Sequence, residues 1–289
     1  MIMKNLKKAS GIFSVLGLSL ILFSGCGDES AVAGSKEKSQ KTRITFFAAA
    51  SMTETLSSVA EKYQKEHPDV DIVFSFDSSG TLKTQIVEGA YCDIFMSAST
   101  KQMNELDKNS GKAAPGADYV LSDTRVNLLE NKVVLAVPDG NPKNIGSFAE
   151  LVNSLNGGRV LLAIGNSDVP VGQYTQKLFA YYGLNMDDLY RSKTLTVGNN
   201  VKEITTQVKE GVADAGIIYS TDAYSAGLTF VDTANTEMVG KVVYPVAVLK
   251  QSKHQKEARD IVNYLKNDES RRIFESVGFT VLNLDSPSE

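Results

Sequence analysis

The chain has 289 residues, 42% of them hydrophobic, with 30 basic against 34 acidic side chains and a formal net charge of −4. The charges are mixed along the chain, with no long basic tract and no basic stripe interleaved with aromatics, which excludes a nucleic-acid partner. His67 and His254 are the only histidines and no G-x-S-x-G, H-E-x-x-H or Walker A string occurs, so serine, zinc and nucleotide hydrolases all lack their parts. The expectation is a protein that is not an enzyme, with no catalytic residue, no cofactor and no free metal cation.

At the N-terminus, Lys4, Lys7 and Lys8 precede an apolar run from Ile12 to Phe23, then Ser24, Gly25 and Cys26. The run is shorter than the roughly 20 residues of a bilayer-spanning helix, and the pattern reads as a signal peptide over residues 1–26 with a lipoprotein processing site. Phe23 stands where leucine is usual, and Leu22 lies one place further back. Cleavage before Cys26 and lipidation of that cysteine would anchor the mature chain on the extracytoplasmic face of the cell membrane. Residues 27–42 are rich in Ser, Gly, Lys and Glu and read as a flexible tether, having too little apolar surface to order themselves. Only Cys92 then remains, so the mature chain can form no intrachain disulfide; beside an apolar run, it reads as a buried structural thiol.

From Ile44 onward strand-like and helix-like runs alternate, the pattern of an α/β protein with largely parallel strands. The predicted first strand is Ile44 to Ala48, followed by an amphipathic helix from Met52 to Glu66 with Leu56, Val59, Ala60 and Tyr63 on one face. Ser51 and Glu54 have the spacing of a capping box, and His67-Pro68 ends the helix. Strand Val70 to Phe76, helix Thr81 to Glu88 and strand Asp93 to Ser97 follow. Lys132 to Val137 is a strong strand closed by Pro138-Asp139-Gly140. A second series comprises helix Ser147 to Leu155, strand Arg159 to Ile164, helices Gly172 to Tyr182 and Val201 to Glu210, and strand Ala215 to Tyr219. Val242 to Leu249 is a further β-branched strand, and two helices, Lys256 to Asn267 and Glu269 to Ser276, close the chain before Gly278.

The strands Lys132 to Val137 and Val242 to Leu249 flank the second series and read as crossovers between two lobes. Lobe 1 is expected to comprise residues 43–127 plus 241–289, and lobe 2 residues 128–240. Ligands of open α/β sheets bind beyond the carboxyl ends of the strands, which puts the site in the cleft between the lobes. Two segments there, FFAAASMTETL and FSFDSSGTL, run from an apolar strand through a short polar turn into a helix. They offer Ser51 and Ser79 beside the unpaired N–H groups of helix N-termini, an arrangement that attracts anions without a cationic side chain. Gly80, Gly157 and Gly158 read as turn glycines. Singly, Ser51 and Ser79 read as plain helix caps, Tyr219 as a core-edge tyrosine and Val201 as core.

Seven strings in order, FFAAASMTETL, FSFDSSGTLKTQIVEGAYCDIFMSA, NKVVLAVP, LNGGRVLLAIGNSDVPVGQY, ADAGIIYSTDA, YPVAVL and RIFESVGFTVL, give the chain from Ile44 to Leu282 its resemblance to the molybdate-binding proteins of ABC transporters. The resemblance implies a two-lobed periplasmic-binding-protein-like fold of type II, two mixed sheets flanked by helices with the ligand cleft between lobes. It further implies a monomeric receptor that closes on dehydrated molybdate or tungstate and delivers it to an ABC permease. Carried over by position, Ser51 and Ser79 would give hydroxyl and backbone donors, Val171 in VPVG and Val201 in NNVKE backbone N–H groups, and Tyr219 its phenol. Val171 stands where alanine is usual, and Asp77 precedes the serine pair where a small neutral residue is common. Strand alternation is expected to turn Asp77 from the cleft. A receptor for another oxyanion such as sulfate, and an anchored sensor or adhesin with no transport role, are the alternatives.

Overall fold

The computed structural model describes residues 41–283. The signal segment, Cys26 and nearly all of the tether lie outside the described residues. The first series runs β1 (Thr42–Ala49), a 3-10 turn (Ala50–Met52), α1 (Thr53–Glu66), β2 (Val70–Asp77), α2 (Ser79–Val87), β3 (Ile94–Met96), α3 (Thr100–Leu106) and β4 (Val126–Asn131). A second series follows: β5 (Val133–Val137), α4 (Phe148–Asn156), β6 (Leu162–Gly165), α5 (Pro170–Tyr181), α6 (Met186–Arg191), β7 (Leu195–Gly198), α7 (Val201–Lys209), β8 (Ala215–Tyr219), α8 (Ser220–Ala226), β9 (Thr229–Thr233) and α9 (Thr236–Val239). The chain closes with β10 (Val242–Val248), α10 (Gln255–Tyr264), α11 (Asp268–Ser276) and β11 (Thr280–Val281).

The strands form two sheets, one of six strands in the order β11-β4-β10-β3-β1-β2 and one of five in the order β7-β6-β8-β5-β9. β1 pairs in parallel with β2 and β3, and β6 with β7 and β8, as the strand–helix alternation predicts. Antiparallel pairing enters where β10 joins β3 and β4, β11 joins β4, and β5 joins β8 and β9, so both sheets are mixed rather than largely parallel. β4 was not anticipated. It is separated from β5 by Lys132 alone, so one apolar stretch serves two sheets. The expected division at residue 127 falls inside β4, which belongs whole to the six-stranded sheet. The chain leaves that sheet after Asn131 and returns to it at Val242.

Burial follows the order of the strands. The central strands β5, β6 and β8 are buried along their whole length, as continuous apolar runs covered on both faces require. α1 lays Leu56, Val59, Ala60 and Tyr63 on the sheet, the face its periodicity predicts. Cys92 is fully buried and burial pushes its thiol pKa up, which makes it a packing residue rather than a nucleophile.

Candidate functional site

Five of the strands end at one place. β1, β2, β6 and β7 each run at their carboxyl ends into the turn or helix that carries one of the predicted residues, and β8 ends on another, Tyr219. Ser51, Ser79, Val171, Val201 and Tyr219 all line one pocket of about 200 Å³, with Ala49, Ala50, Asp77, Ser78, Ala98, Val169 and Pro170 completing its wall. The crevice beyond the strand ends is therefore real. No lysine or arginine is in the lining.

The two serines are not the helix caps expected of them. A 3-10 turn begins at Ala50, so the chain is already helical at Ser51; Met52 occupies the N-cap of α1, with no side-chain bond. Released from capping, Ser51 Oγ lies 2.9 Å from Tyr244 Oη. In α2 the cap is Ser78, whose hydroxyl accepts the Thr81 N–H, and Ser79 is the first helical residue. Ser79 Oγ accepts instead the N–H of Ala98 at 2.9 Å.

These bonds fix what the hydroxyls can still do. Asn131 Oδ1 accepts from the Lys132 N–H at 2.8 Å and the Ser220 hydroxyl at 3.1 Å, so its Nδ2 faces Thr221 Oγ1 at 2.9 Å and Tyr244 Oη at 3.2 Å. An amide nitrogen only donates. Tyr244 Oη therefore accepts from Asn131, and between Tyr244 Oη and Ser51 Oγ either hydroxyl can donate. Ser79 ends as an acceptor from the protein with a hydroxyl proton left for the pocket, and Ser51 has one to give when Tyr244 donates to it, in a chain of hydroxyls that strengthen one another.

The second lobe adds donors of another kind. Val171 follows Pro170, which has no N–H, so the Val171 amide is the first that α5 presents; its side chain is wholly buried. Val201 opens α7 behind the cap Asn200, whose Oδ1 accepts the Glu203 N–H. First-turn amides have no acceptor within their helix. Tyr219 ends β8 with its hydroxyl fully buried and without a hydrogen-bond partner. Burial drives the phenols of Tyr219 and Tyr244 well above the ordinary tyrosine pKa, so both remain neutral O–H donors.

Asp77 departs from expectation. It is the last residue of β2, where the pleat gives way to the cap of α2, and it lines the pocket. Its Oδ1 accepts the Ser78 N–H at 2.7 Å and faces Asn200 Nδ2, across the cleft, at 3.4 Å. Gly80 is likewise no turn glycine. It lies in the first turn of α2, and a Cβ there would stand 2.1 Å from the Asp168 carbonyl oxygen of the other lobe.

A crevice between two mixed α/β sheets, at the carboxyl ends of their strands, defines a solute-binding protein. Residues 44–280 match the family described as bacterial extracellular solute-binding protein, and the chain belongs to that family. Among its relatives, the molybdate-binding protein ModA of Haemophilus influenzae is 35% identical over 242 residues, 82% of this chain and 90% of the relative. ModA of Escherichia coli is 35% identical over 268 residues, covering 91% and 98% of the two chains. The periplasmic molybdate-binding protein of Azotobacter vinelandii superposes with a TM-score of 0.69 over 83% of this chain and 100% of its own, at 22% identity, and shares the fold.

Proposed function

We propose that the chain binds molybdate or tungstate in the cleft, through the hydroxyls of Ser51, Ser79 and Tyr219 and the backbone N–H groups of Val171 and Val201. The observation that carries the reading is the Tyr219 hydroxyl, a buried donor without a partner in a wall where the Ser79 hydroxyl also has a proton to give. A group of that kind is costly unless something fills the pocket and accepts from it. A dehydrated tetrahedral dianion is an acceptor on every side and meets that demand. Each hydrogen bond to a charged group contributes on the order of 1.5 to 3 kcal/mol net, enough for five donors to hold the ion firmly. Two relatives at 35% identity are named for molybdate.

Family membership and the N-terminal sequence support a wider role. The receptor is held at the extracytoplasmic face of the membrane through a lipid on Cys26, acts as a monomer, and hands the ion to an ABC permease that carries out the ATP chemistry. Lobe 1 is residues 43–131 plus 241–283, and lobe 2 the segment between. Because both lobes supply donors, the ion binds the closed form better and shifts the hinge equilibrium toward it.

Thermal unfolding followed by circular dichroism, in a chain with no tryptophan, tests this with molybdate, tungstate, sulfate and phosphate added separately. Ligand at about a thousand times its Kd adds about 4 kcal/mol, which raises the midpoint by roughly 8 °C or more at this size. A shift with molybdate and tungstate alone is expected. A comparable shift with sulfate or phosphate overturns the specificity, and no shift with any of them overturns the site.

A further inference from the structure

The first turn of α7 touches the opposite lobe on both sides of the pocket. Val201 lines the cavity, while its two neighbours reach across the cleft. Asn200 Nδ2 points at Asp77 Oδ1, 3.4 Å away at the end of β2. Lys202 Nζ lies 2.8 Å from each carboxylate oxygen of Glu54, in the first turn of α1. On the lobe 1 side these acceptors sit two residues before Ser79 and three after Ser51, and Asp77 lines the pocket as well as bridging it. Within its own lobe Lys202 also lies 3.1 Å from Asp222 Oδ1, whose side chain is 0% exposed, whereas the Glu54 side chain is 50% exposed.

We propose that Asn200 and Lys202 form a two-pronged clasp on Asp77 and Glu54 that positions the Val201 N–H over the bound oxyanion and sets how long the closed state lasts. The clasp rests on the oxyanion reading of the pocket. It accounts for two charges beside an anion site: the Asp77 carboxylate is turned onto its own donors, and the Lys202 ammonium is held by two carboxylates outside the lining. When the lobes part, Glu54 passes to water and Lys202 keeps Asp222, so neither lobe is left with an unpaired buried charge. Opening therefore breaks only bridges that water can replace. Release, rather than encounter, is the step these residues govern.

The test uses Glu54→Gln, an exposed change that leaves the Lys202–Asp222 pair intact, and Asn200→Ser, which keeps an N-cap hydroxyl on α7 but cannot reach Asp77. Stopped-flow release of molybdate from the purified protein is expected to be about threefold faster in each variant and about tenfold faster in the double variant, with the association rate within twofold, the size expected of part-exposed polar bridges. Added salt should shrink the Glu54→Gln effect and leave that of Asn200→Ser. Release at the wild-type rate from the double variant overturns the clasp. Should the wild-type protein take up none of the four oxyanions, the functional reading falls on its own. The clasp is then judged by small-angle scattering of the unliganded protein, where a larger radius of gyration in the double variant keeps it and an equal radius overturns it.

Discussion

Ser51 Oγ and Tyr244 Oη stand 2.9 Å apart although 193 residues separate them in the chain. The bond ties the end of β1 to β10, and behind it Asn131 donates to the same phenol at 3.2 Å. Tyr244 is thus a positioning residue for the Ser51 hydroxyl, and when it donates it leaves the Ser51 proton for the pocket. Tyr244→Phe keeps the ring and its edge contacts with Tyr219 and Phe279 and leaves Asn131 Nδ2 with Thr221 as acceptor. Its expected effect is a Kd for molybdate raised by roughly 5- to 30-fold, about 1 to 2 kcal/mol, by calorimetry. A Kd within twofold of wild type would show that Ser51 needs no such support.

Tyr219→Phe separates binding from stability by sign. The hydroxyl it removes is buried and has no hydrogen-bond partner among the described residues. Its loss should stabilise the unliganded protein by about 1 kcal/mol, because an unmet desolvation cost disappears. The same loss should weaken molybdate binding by about 2 kcal/mol, since the ion forfeits one donor. Urea unfolding without ligand, paired with calorimetry, reads both quantities. Destabilisation of the unliganded variant would mean that the hydroxyl has a partner after all.

Much of this arrangement is legible in the sequence, and the boundary has a physical cause. Ser51, Ser79, Val171, Val201 and Tyr219 share one pocket because each lies at or just beyond the carboxyl end of a strand whose apolar run is plain in one dimension. What each side chain bonds is settled by partners far away. Ser51 with Glu54 spells a capping box, yet the chain turns helical one residue too early and hands the hydroxyl to Tyr244. Ser79 passes the cap to Ser78, its equal in chemistry and one place earlier, and takes the Ala98 amide. Asp77 faces the pocket because β2 ends there, and alternation holds only within a strand. β4 hid because only Lys132 parts it from β5.

The buried carboxylate of Asp222 makes stability depend on pH. Burial raises its pKa from 3.8 to about 6, with Lys202 opposing the shift and the Glu54 charge adding to it. For Lys202, burial alone would lower the pKa, but Asp222 and Glu54 together hold it above the ordinary value, so the lysine stays charged throughout. A carboxyl whose folded pKa exceeds its unfolded one contributes stability that is complete below pH 3.8 and lost as pH rises through 6. A shift of that size corresponds to about 3 kcal/mol. Relative to Asp222→Asn, which cannot titrate, the wild-type protein should therefore lose about 3 kcal/mol between about pH 3.5 and pH 7 in urea unfolding, with most of the change between the two pKa values. A difference that stays constant with pH would place Asp222 in a solvated, fully ionised setting at odds with its burial.

Gly80 offers the sharpest separation of folding from closure. It occupies the first turn of α2, and the nearest obstacle to a Cβ there is the Asp168 carbonyl oxygen, 2.1 Å away, on the loop that leads into α5. A backbone oxygen at that range cannot move aside without carrying Pro170 and Val171 with it, and those residues form the far wall of the pocket. Gly80→Ala should thus hold the lobes apart. Alanine in a helix is favoured over glycine by about 1 kcal/mol, so the unliganded protein should keep or slightly gain stability while molybdate binding weakens at least a hundredfold, about 3 kcal/mol. Calorimetry and urea unfolding on one preparation decide it. Loss of both folding and binding would mean that the unliganded chain already needs the closed contact, and retention of both would mean that the loop around Asp168 yields and Gly80 does not govern closure.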